Sequence, residues 1–276
     1  MSARRRRRTR RKLRFWPAAR TRRRWLRRFR RMPRTLQVAL LLGAAAALAL
    51  AVNGVYQLAR KPTELFFPVS GALYKTPSET WRDYGPLFRR YSTERIEPEL
   101  LAALAQVEAS GNPLVRTYWR WSWASRPFDL YRPASSAVGM YQITDGTFEV
   151  ARHYCIHHHV LTHEGPWNDF GSCWFPGLYV RVLPGDAVEL TAAYLDLQVG
   201  NVLAQRRGRT TPAEVRHVAA VVHLCGAGAA DAYVRRGLRF PAGEKCGDHD
   251  PRIYLARVDG MVAVFTGLEG RNGSAQ

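Results

Sequence analysis

Acidic residues are absent from the first 34 positions of this 276-residue chain, although 18 of its 42 lysines and arginines lie there. The remainder therefore carries 24 basic residues against 22 acidic ones and is almost neutral, while the whole chain has a formal net charge of +20. A nucleic-acid-binding domain has its basic patch on the folded part. This distribution argues against nucleic-acid binding and assigns the excess charge to an N-terminal tail.

The only long apolar run, residues 36–55, directly follows that tail. About 20 apolar residues cross a bilayer as a helix, and short Lys/Arg-rich flanks stay in the cytoplasm. We therefore expect a cytoplasmic tail over 1–34 that contacts anionic lipid headgroups, and a transmembrane anchor over 35–59. A cleaved signal peptide is the alternative, because Ala49-Leu50-Ala51 offers a cleavage site. Both interpretations export the rest of the chain.

Cysteine is scarce, with four residues that all follow the apolar run. No CxxC occurs, which counts against a zinc ribbon or a thioredoxin-like site. An even number of cysteines in an exported domain indicates disulfides, and four cysteines permit three pairings. Pairing Cys155 with Cys173 and Cys225 with Cys246 closes the shortest loops, but the sequence does not choose among the three.

Several histidines lie near Cys155 without the HExxH pattern or another regular ligand spacing. They are His153, His157, His158, His159 and His163. A zinc site is one interpretation of this density, and a solvated loop is the other. We expect the solvated loop and no metal.

Strand patterns of period two are also scarce, and no internal repeat is visible, so we expect a mostly α domain. Prolines interrupt residues 60–92, which we interpret as a spacer without a long helix. The domain is expected over residues 93–266, with a flexible tail over 267–276. A first helix begins near Pro98. Further helical patterns cover 146–155, 187–206, 212–225 and the residues from 229 onward.

Glu108 lies at the end of the helix that begins near Pro98. Leu101 and Leu104 precede it by seven and four positions, so its side chain points with the apolar face. On position alone, a glutamate at the edge of that face, in contact with solvent or a basic residue, is the ordinary interpretation. The alternative is a general acid held at the edge of the core.

Two segments favour the second interpretation. Glu108-Ala-Ser-Gly-Asn-Pro113 is followed by Ser135-Ser-Ala-Val-Gly-Met-Tyr-Gln-Ile-Thr144. This pair resembles the catalytic-domain signature of the soluble lytic transglycosylase family, which is related in fold to goose-type lysozyme. A weaker match joins Val222-His-Leu-Cys-Gly-Ala-Gly228 to the family's Ala-Tyr-Asn-Ala-Gly-x-Gly segment. The resemblance covers roughly residues 95–240.

The resemblance implies a lysozyme-like helical domain in the bacterial periplasm, anchored in the inner membrane. It implies cleavage of the β-1,4 bond between N-acetylmuramic acid and N-acetylglucosamine in peptidoglycan glycan strands, with 1,6-anhydro ends as products. Glu108 would be the single acid/base, and no metal or organic cofactor is needed. Protein partners cannot be inferred.

Carried over by position, the second segment would line the glycan cleft beside Glu108. Its residues are Ser135 and Ser136 at the mouth, then Gly139, Met140, Tyr141 and Gln142. Gly139 would let backbone approach a sugar closely. Gln142 offers both a donor and an acceptor for sugar hydroxyls.

The chain departs from the family pattern in three places. Ala109 stands where the family usually has serine, and the gap between the two segments is longer. His223 stands where the third segment has a tyrosine that helps position the glutamate, so it either replaces this partner or faces a packed core. The longer gap is rich in aromatics, and Trp119 and Trp121 either form a sugar-stacking wall or pack against the helices.

Two alternatives stay open. A lysozyme-type hydrolase of the same bond would need a second carboxylate across the cleft, for which Asp129 and Asp145 are the candidates. A non-catalytic peptidoglycan-binding or assembly module would keep the cleft without using the acid.

Overall fold

The computed structural model describes residues 19–66, 70–115, 117–122, 127–169, 171–174, 176–204, 206 and 208–273. The described chain is mostly helical, which confirms the expected class. It forms two compact units, Met1–Val55 and Tyr56–Gln276. Residues 1–18 of the expected basic tail lie outside the described residues.

The first unit contains helix α1 (Ala19–Arg30) and most of α2 (Arg34–Arg60). At 1.5 Å per residue, the 27 residues of α2 extend for about 40 Å. Its leucines are exposed, with Leu42 and Leu48 each at 66%. A helix that is apolar on all sides and exposed is typical of a membrane span. By length and composition, α2 is able to cross a membrane.

The second unit is built around α4 (Pro98–Ala109), whose Leu101 and Leu104 are fully buried. Helices α3 (Pro77–Tyr91) and α9 (Pro251–Gly273) pack on α4. The other helices are α5 (Asp145–Ala151), α6 (Pro184–Ala204), α7 (Pro212–Cys225) and α8 (Ala227–Arg235). The core that forms between these helices positions Glu108 at the end of α4.

The expectation that residues 60–92 contain no long helix is wrong. Short 3-10 turns at Pro62–Phe66 and Gly71–Leu73 are followed by the 15-residue helix α3. Pro77 lies in the first turn of α3, where a missing N–H costs nothing, and Thr76 forms a capping box with Glu79. Pro86 lies inside the helix. Burial of apolar side chains on α3 outweighs the hydrogen bond that Pro86 cannot make.

Two short antiparallel sheets complete the second unit. Strand β1 (Trp119–Trp121) pairs with β2 (Tyr131–Pro133), and β3 (Tyr154–His157) pairs with β4 (Val160–His163). The helix expected over 146–155 is therefore too long at its C-terminal end. Residues 154–157 form a strand because β3 packs on α6, where Glu189 Oε1 accepts a 3.0 Å hydrogen bond from the Ile156 N–H.

Both disulfides join the cysteines that close the shortest loops. Cys155 is bonded to Cys173 and Cys225 to Cys246, with Cα–Cα distances of 5.7 and 5.2 Å. Such bonds are typical of an oxidising compartment. At the C-terminus, the expected flexible tail begins inside α9, which continues as helix to Gly273, while residues 274–276 lie outside the described part.

Candidate active site

The turn that ends α4 explains most of the first sequence segment. Ser110 and Gly111 both have left-handed backbone, with φ values of 49° and 66°. A side chain at Gly111 would collide with Thr80, so only glycine fits there. The amide of buried Asn112 donates to the Ser70 carbonyl at 2.7 Å and accepts from the Leu114 N–H at 2.8 Å. The turn thereby fixes the end of α4 next to Glu108.

Three helices converge on the Glu108 carboxyl group. The Tyr254 hydroxyl, in the first turn of α9, donates a 2.6 Å hydrogen bond to Glu108 Oε1. His223 Nε2, on α7, lies 3.6 Å from the same oxygen. The Glu108 side chain is 18% exposed and the His223 side chain 11%, so solvent has limited access to both.

Burial and charge tune the two partners of Glu108. Burial raises the pKa of Tyr254, and the neighbouring Glu108 charge raises it further. The tyrosine hydroxyl therefore keeps its proton and stays a donor. Burial lowers the pKa of His223, although the Glu108 charge opposes this. His223 is consequently neutral at neutral pH and does not act as a fixed cation beside the carboxyl group.

The two oxygens of Glu108 are not equivalent. Oε1 accepts from Tyr254 and faces His223, whereas Oε2 has no hydrogen-bond partner among the described residues. A carboxyl group held at one oxygen can carry and exchange a proton at the other. General acid/base chemistry needs a carboxyl group in such an arrangement. Neither Tyr254 nor His223 carries a charge in it.

The second sequence segment forms a tight turn closed by a bridge between Val138 and Ile143. Gly139 has φ of 80°, and any side chain there would collide with the backbone carbonyl of Arg181. Gly139 thus allows a close approach to this carbonyl, and its expected contact with a sugar stays a prediction. Gln142 also has positive φ, and its amide donates to the Gly139 carbonyl at 2.9 Å.

Met140 and Tyr141 are fully buried between the turn and the helices. The Tyr141 hydroxyl donates to the Leu101 carbonyl at 3.1 Å, and the Tyr141 ring meets the His223 ring edge-on at 6.4 Å. Their side chains therefore face the core, and their contribution to the site is to support His223 and α4. Any contact they make with a ligand would come from backbone atoms.

Ser135 and Ser136 line a cavity to which Glu108, His223 and Tyr254 do not contribute. Asp129 and Asp145 line this cavity too. Asp145 forms a 2.9 Å ion pair with Arg181, and Asp129 Oδ1 accepts a 3.2 Å hydrogen bond from Gln57. Neither carboxylate contacts Glu108.

The two tryptophans lie on strand β1, and both rings contact Tyr131 of β2 at a tilt. Ring centroids are 5.3 Å apart for Trp119 and 4.9 Å for Trp121. Trp119 is partly buried and its indole N–H donates to Glu64 at 2.9 Å, which anchors it in the body of the unit. Trp121 is 62% exposed and presents the aromatic surface that a sugar-stacking wall requires. Trp123 lies outside the described residues.

The histidines near Cys155 lie on and around the β3–β4 hairpin and contact other groups. His153 Nδ1 is 2.8 Å from Glu164 Oε1, His159 Nδ1 is 2.8 Å from the Ser92 carbonyl, and His163 Nδ1 is 2.8 Å from the Glu164 carbonyl. Within the described residues, no three His, Cys, Asp or Glu side chains come together in a way that could hold a metal ion.

Tyr254 is the residue that sequence reasoning missed. It lies 146 positions after Glu108. Buried Tyr254, Val258, Val262 and Phe265 recur at helical spacing, which indicates that this face of α9 packs on a core. That spacing carries no information on which residue meets the Tyr254 hydroxyl, so the pairing could not be inferred.

Comparisons with known proteins add no identification. The chain matches no protein-family model. It also matches no curated protein. An inference about function therefore depends on the resemblance of the sequence segments and on the geometry around Glu108.

Proposed function

We propose that the chain is a membrane-anchored lytic transglycosylase that cleaves peptidoglycan glycan strands, with Glu108 as its single general acid/base. The observation that carries the proposal is the Glu108 carboxyl group at the end of α4, with Oε1 held by Tyr254 and Oε2 unpartnered among the described residues. The resemblance of two sequence segments supplies the substrate class. The expected lysozyme-like architecture remains part of the same proposal.

In the proposed reaction, Glu108 Oε2 gives its proton to the oxygen that joins N-acetylmuramic acid to N-acetylglucosamine. The bond from this oxygen to C1 of the muramic acid breaks, and positive charge develops at C1. The C6 hydroxyl of the same sugar attacks C1 and gives its proton to the Glu108 carboxylate. The product is a 1,6-anhydro ring, no water is consumed, and Glu108 regains its starting state.

Tyr254 acts in this scheme as a positioning residue. Its hydrogen bond to Oε1 remains possible in both protonation states of Glu108, because that oxygen accepts in each. Hydrogen bonds to charged groups contribute about 1.5–3 kcal/mol, so Tyr254 stabilises the carboxylate that forms after proton transfer. His223 and Tyr141 close the site on the side of the helical core.

We further propose that α2 anchors the enzyme in the bacterial inner membrane, with the second unit in the periplasm. The basic residues before α2 favour a cytoplasmic N-terminus, in contact with anionic lipid headgroups. The two disulfides are consistent with the oxidising compartment on the other side. Peptidoglycan lies in that compartment.

A lysozyme-type hydrolase of the same bond is the nearest alternative. It needs a second carboxylate that acts as nucleophile or base. Asp129 and Asp145 were the candidates, and both are bound to other side chains in a cavity that Glu108 does not line. Their positions favour the reaction in which the substrate supplies its own nucleophile.

The decisive experiment is digestion of purified peptidoglycan sacculi by the full chain in mild detergent, with products identified by mass spectrometry. Glu108→Gln keeps the size of the side chain and removes its acid. Glu99→Gln is the matched control, since Glu99 also lies on α4 but has no contact with the site. We expect anhydro-muropeptides from the wild type and from the control, and an activity at least about 100-fold lower from Glu108→Gln.

Products that carry an added water would instead identify a hydrolase. Equal activity in Glu108→Gln would exclude Glu108 as the acid. A wild-type protein that binds sacculi and releases nothing would identify a binding or assembly module.

A further inference from the structure

The cavity lined by Ser135 and Ser136, which we term the basic pocket, has a volume of about 170 Å³ and lies within the second unit. Four of the side chains that line it are basic and two are acidic: Arg60, Lys61, Arg132, Arg181, Asp129 and Asp145. The lining therefore has an excess of two positive charges. It has no role in the proposed reaction.

Only part of this positive charge is compensated by neighbouring carboxylates. Arg181 is paired with Asp145 at 2.9 Å, and Lys61 with Glu64 at 3.3 Å. Arg60 and Arg132 form no ion pair with any described residue. Arg60 lies over the Tyr56 ring at 5.8 Å, a contact that does not neutralise its charge.

The Arg132 guanidinium is the clearest sign of a missing partner. Its Nε atom is buried and has no hydrogen-bond partner among the described residues. A buried donor without an acceptor costs about 1–3 kcal/mol. Arg132 lines the pocket, and a guanidinium fork fits the oxygens of a phosphate group.

Two serine hydroxyls complete a site for an oxyanion. Ser135 Oγ accepts a 3.1 Å hydrogen bond from the Ala137 N–H, and Ser136 Oγ accepts a 3.2 Å hydrogen bond from the Asp145 N–H. Because each hydroxyl acts as an acceptor within its own loop, its hydrogen stays available to donate. The pocket thus combines two hydroxyl donors with two guanidinium groups that form no ion pair with any described residue, and with one carboxylate, Asp129, which is bound to Gln57.

The position of the pocket along the chain indicates the source of the anion. Arg60 and Lys61 line it and directly follow the expected membrane anchor, which ends at residue 59. At 1.5 Å per residue, they lie about 1.5–3 Å beyond that end. The headgroup layer on each side of a bilayer extends about 5–8 Å beyond the hydrocarbon core. Both side chains are therefore within reach of lipid phosphates wherever α2 spans a membrane.

We propose that the basic pocket binds a phosphate group, and that its source is the headgroup of an anionic phospholipid in the outer half of the bilayer that α2 crosses. The proposal depends on the proposed membrane anchor and not on the chemistry at Glu108. A bound headgroup would tie the loops at 131–136 and 145 to the membrane surface. It would thereby set the height of the catalytic unit above the membrane.

The test uses the full chain in phosphatidylcholine nanodiscs with or without phosphatidylglycerol, and hydrogen exchange over residues 131–145 read by mass spectrometry. We expect phosphatidylglycerol to slow exchange in this segment, where the Ala137 and Asp145 N–H groups bond to the pocket serines. Anionic lipid bound by the N-terminal tail would leave this segment unchanged, so the readout separates the two effects.

Arg132→Gln should abolish the slowing or raise the phosphatidylglycerol content needed for it about tenfold. Arg239→Gln, at an exposed arginine far along the chain and outside the pocket, removes the same charge and should behave as the wild type. Arg132→Lys keeps the charge without the fork and should retain partial slowing, which guards against a simple folding defect.

Equal slowing in wild type and Arg132→Gln would overturn the proposal. Slowing by inorganic phosphate in nanodiscs of phosphatidylcholine alone would overturn the assignment to a lipid. Hydrogen exchange that is slowed by muropeptide fragments and not by phosphatidylglycerol would show that the pocket binds the glycan substrate. Glu108→Gln should keep the lipid effect while it loses lytic activity, so failure of the lipid proposal and failure of the proposed reaction give different results.

Discussion

Two regions of the second unit are held together in different ways. The helical region, formed by α3, α4, α7 and α9, is an apolar core in which Leu101 and Leu104 are fully buried. The strand region, residues 117–122 and 127–163, contains the two hydrogen-bonded hairpins and exposes large apolar side chains, such as Trp121 at 62% and Val160 at 63%, although its Tyr141 belongs to the helical core. The proposed acid ends a helix of the first region, and the basic pocket is lined largely from the second.

This difference shows why the two sites have different properties. Glu108 is held by packed helices, with Oε1 2.6 Å from the Tyr254 hydroxyl and 3.6 Å from His223 Nε2. A group that transfers a proton requires such support from rigid elements. The basic pocket is a ring of long side chains around short strands and turns, which can adjust to a headgroup that moves with the membrane.

The largest expected effect tests how strongly side-chain packing stabilises the helical region compared with the strand region. Leu104→Ala, in the helical region, should lower the free energy of unfolding by about 2–5 kcal/mol, since it opens a cavity in a packed core. Val160→Ala, on the exposed edge of β4, should change it by less than about 0.5 kcal/mol. Urea denaturation of the detergent-solubilised chain, followed by tryptophan fluorescence, measures both. Similar losses in the two variants would show that the strand region is as tightly packed as the helices.

The second effect concerns the link between the helical core and the chemistry. Tyr254→Phe removes only the hydroxyl that donates to Glu108 Oε1 at 2.6 Å. We expect kcat to fall about tenfold or more, because a hydrogen bond to a charged group is lost, with KM unchanged. The limb of the pH–rate profile on which activity falls with rising pH, where a general acid loses its proton, should shift as well, which a purely structural role would not cause.

Tyr233→Phe is the control for this experiment. Tyr233 is also buried, on α8, and stacks on Phe240 at 4.4 Å without contact with Glu108. It should leave kcat and the pH profile unchanged. If both variants lose activity equally, the effect reflects packing of tyrosines and not the position of the acid.

The same two regions differ in how far the sequence predicts them. In the helical region, apolar spacing gave α4 from Pro98 and the helix at 212–225, because a buried helix face repeats every three to four residues. In the strand region the same reasoning extended a helix through residues 152–155, although Tyr154 begins β3. The hydrogen bond from Ile156 to Glu189 that favours the strand joins residues 33 positions apart, so no local pattern reveals it.

The site was predicted in part for the same reason. Glu108 was selected by the resemblance of the segment that ends α4, and His223 by the weaker resemblance of the third segment. The prediction that residues 60–92 contain no long helix was wrong because the prolines do not reveal the burial of Trp81 and Phe88. That burial stabilises α3. Tyr254 was missed because its partner lies on another helix, and the identity of that partner depends on how the helices pack.

The smallest effect tests whether His223 belongs to the helical core or to the site. Burial lowers its pKa below the ordinary 6.5, so below that pH the unfolded chain binds a proton that the folded chain does not. Its contribution to stability is therefore complete above pH 6.5 and decreases as the pH falls. Between about pH 7.5 and about pH 5.5, the wild type should lose more stability than His223→Gln.

A substitution of Glu108 tests more directly whether His223 interacts with the site. Its charge opposes the lowering of the pKa of His223, so Glu108→Gln should lower that pKa further. The loss of stability toward acidic pH should then be steeper in Glu108→Gln than in the wild type, and absent in the double variant with His223→Gln. Unfolding midpoints at the two pH values measure this coupling. A pH dependence that Glu108→Gln leaves unchanged would mean that the two groups do not interact and that His223 serves only the core.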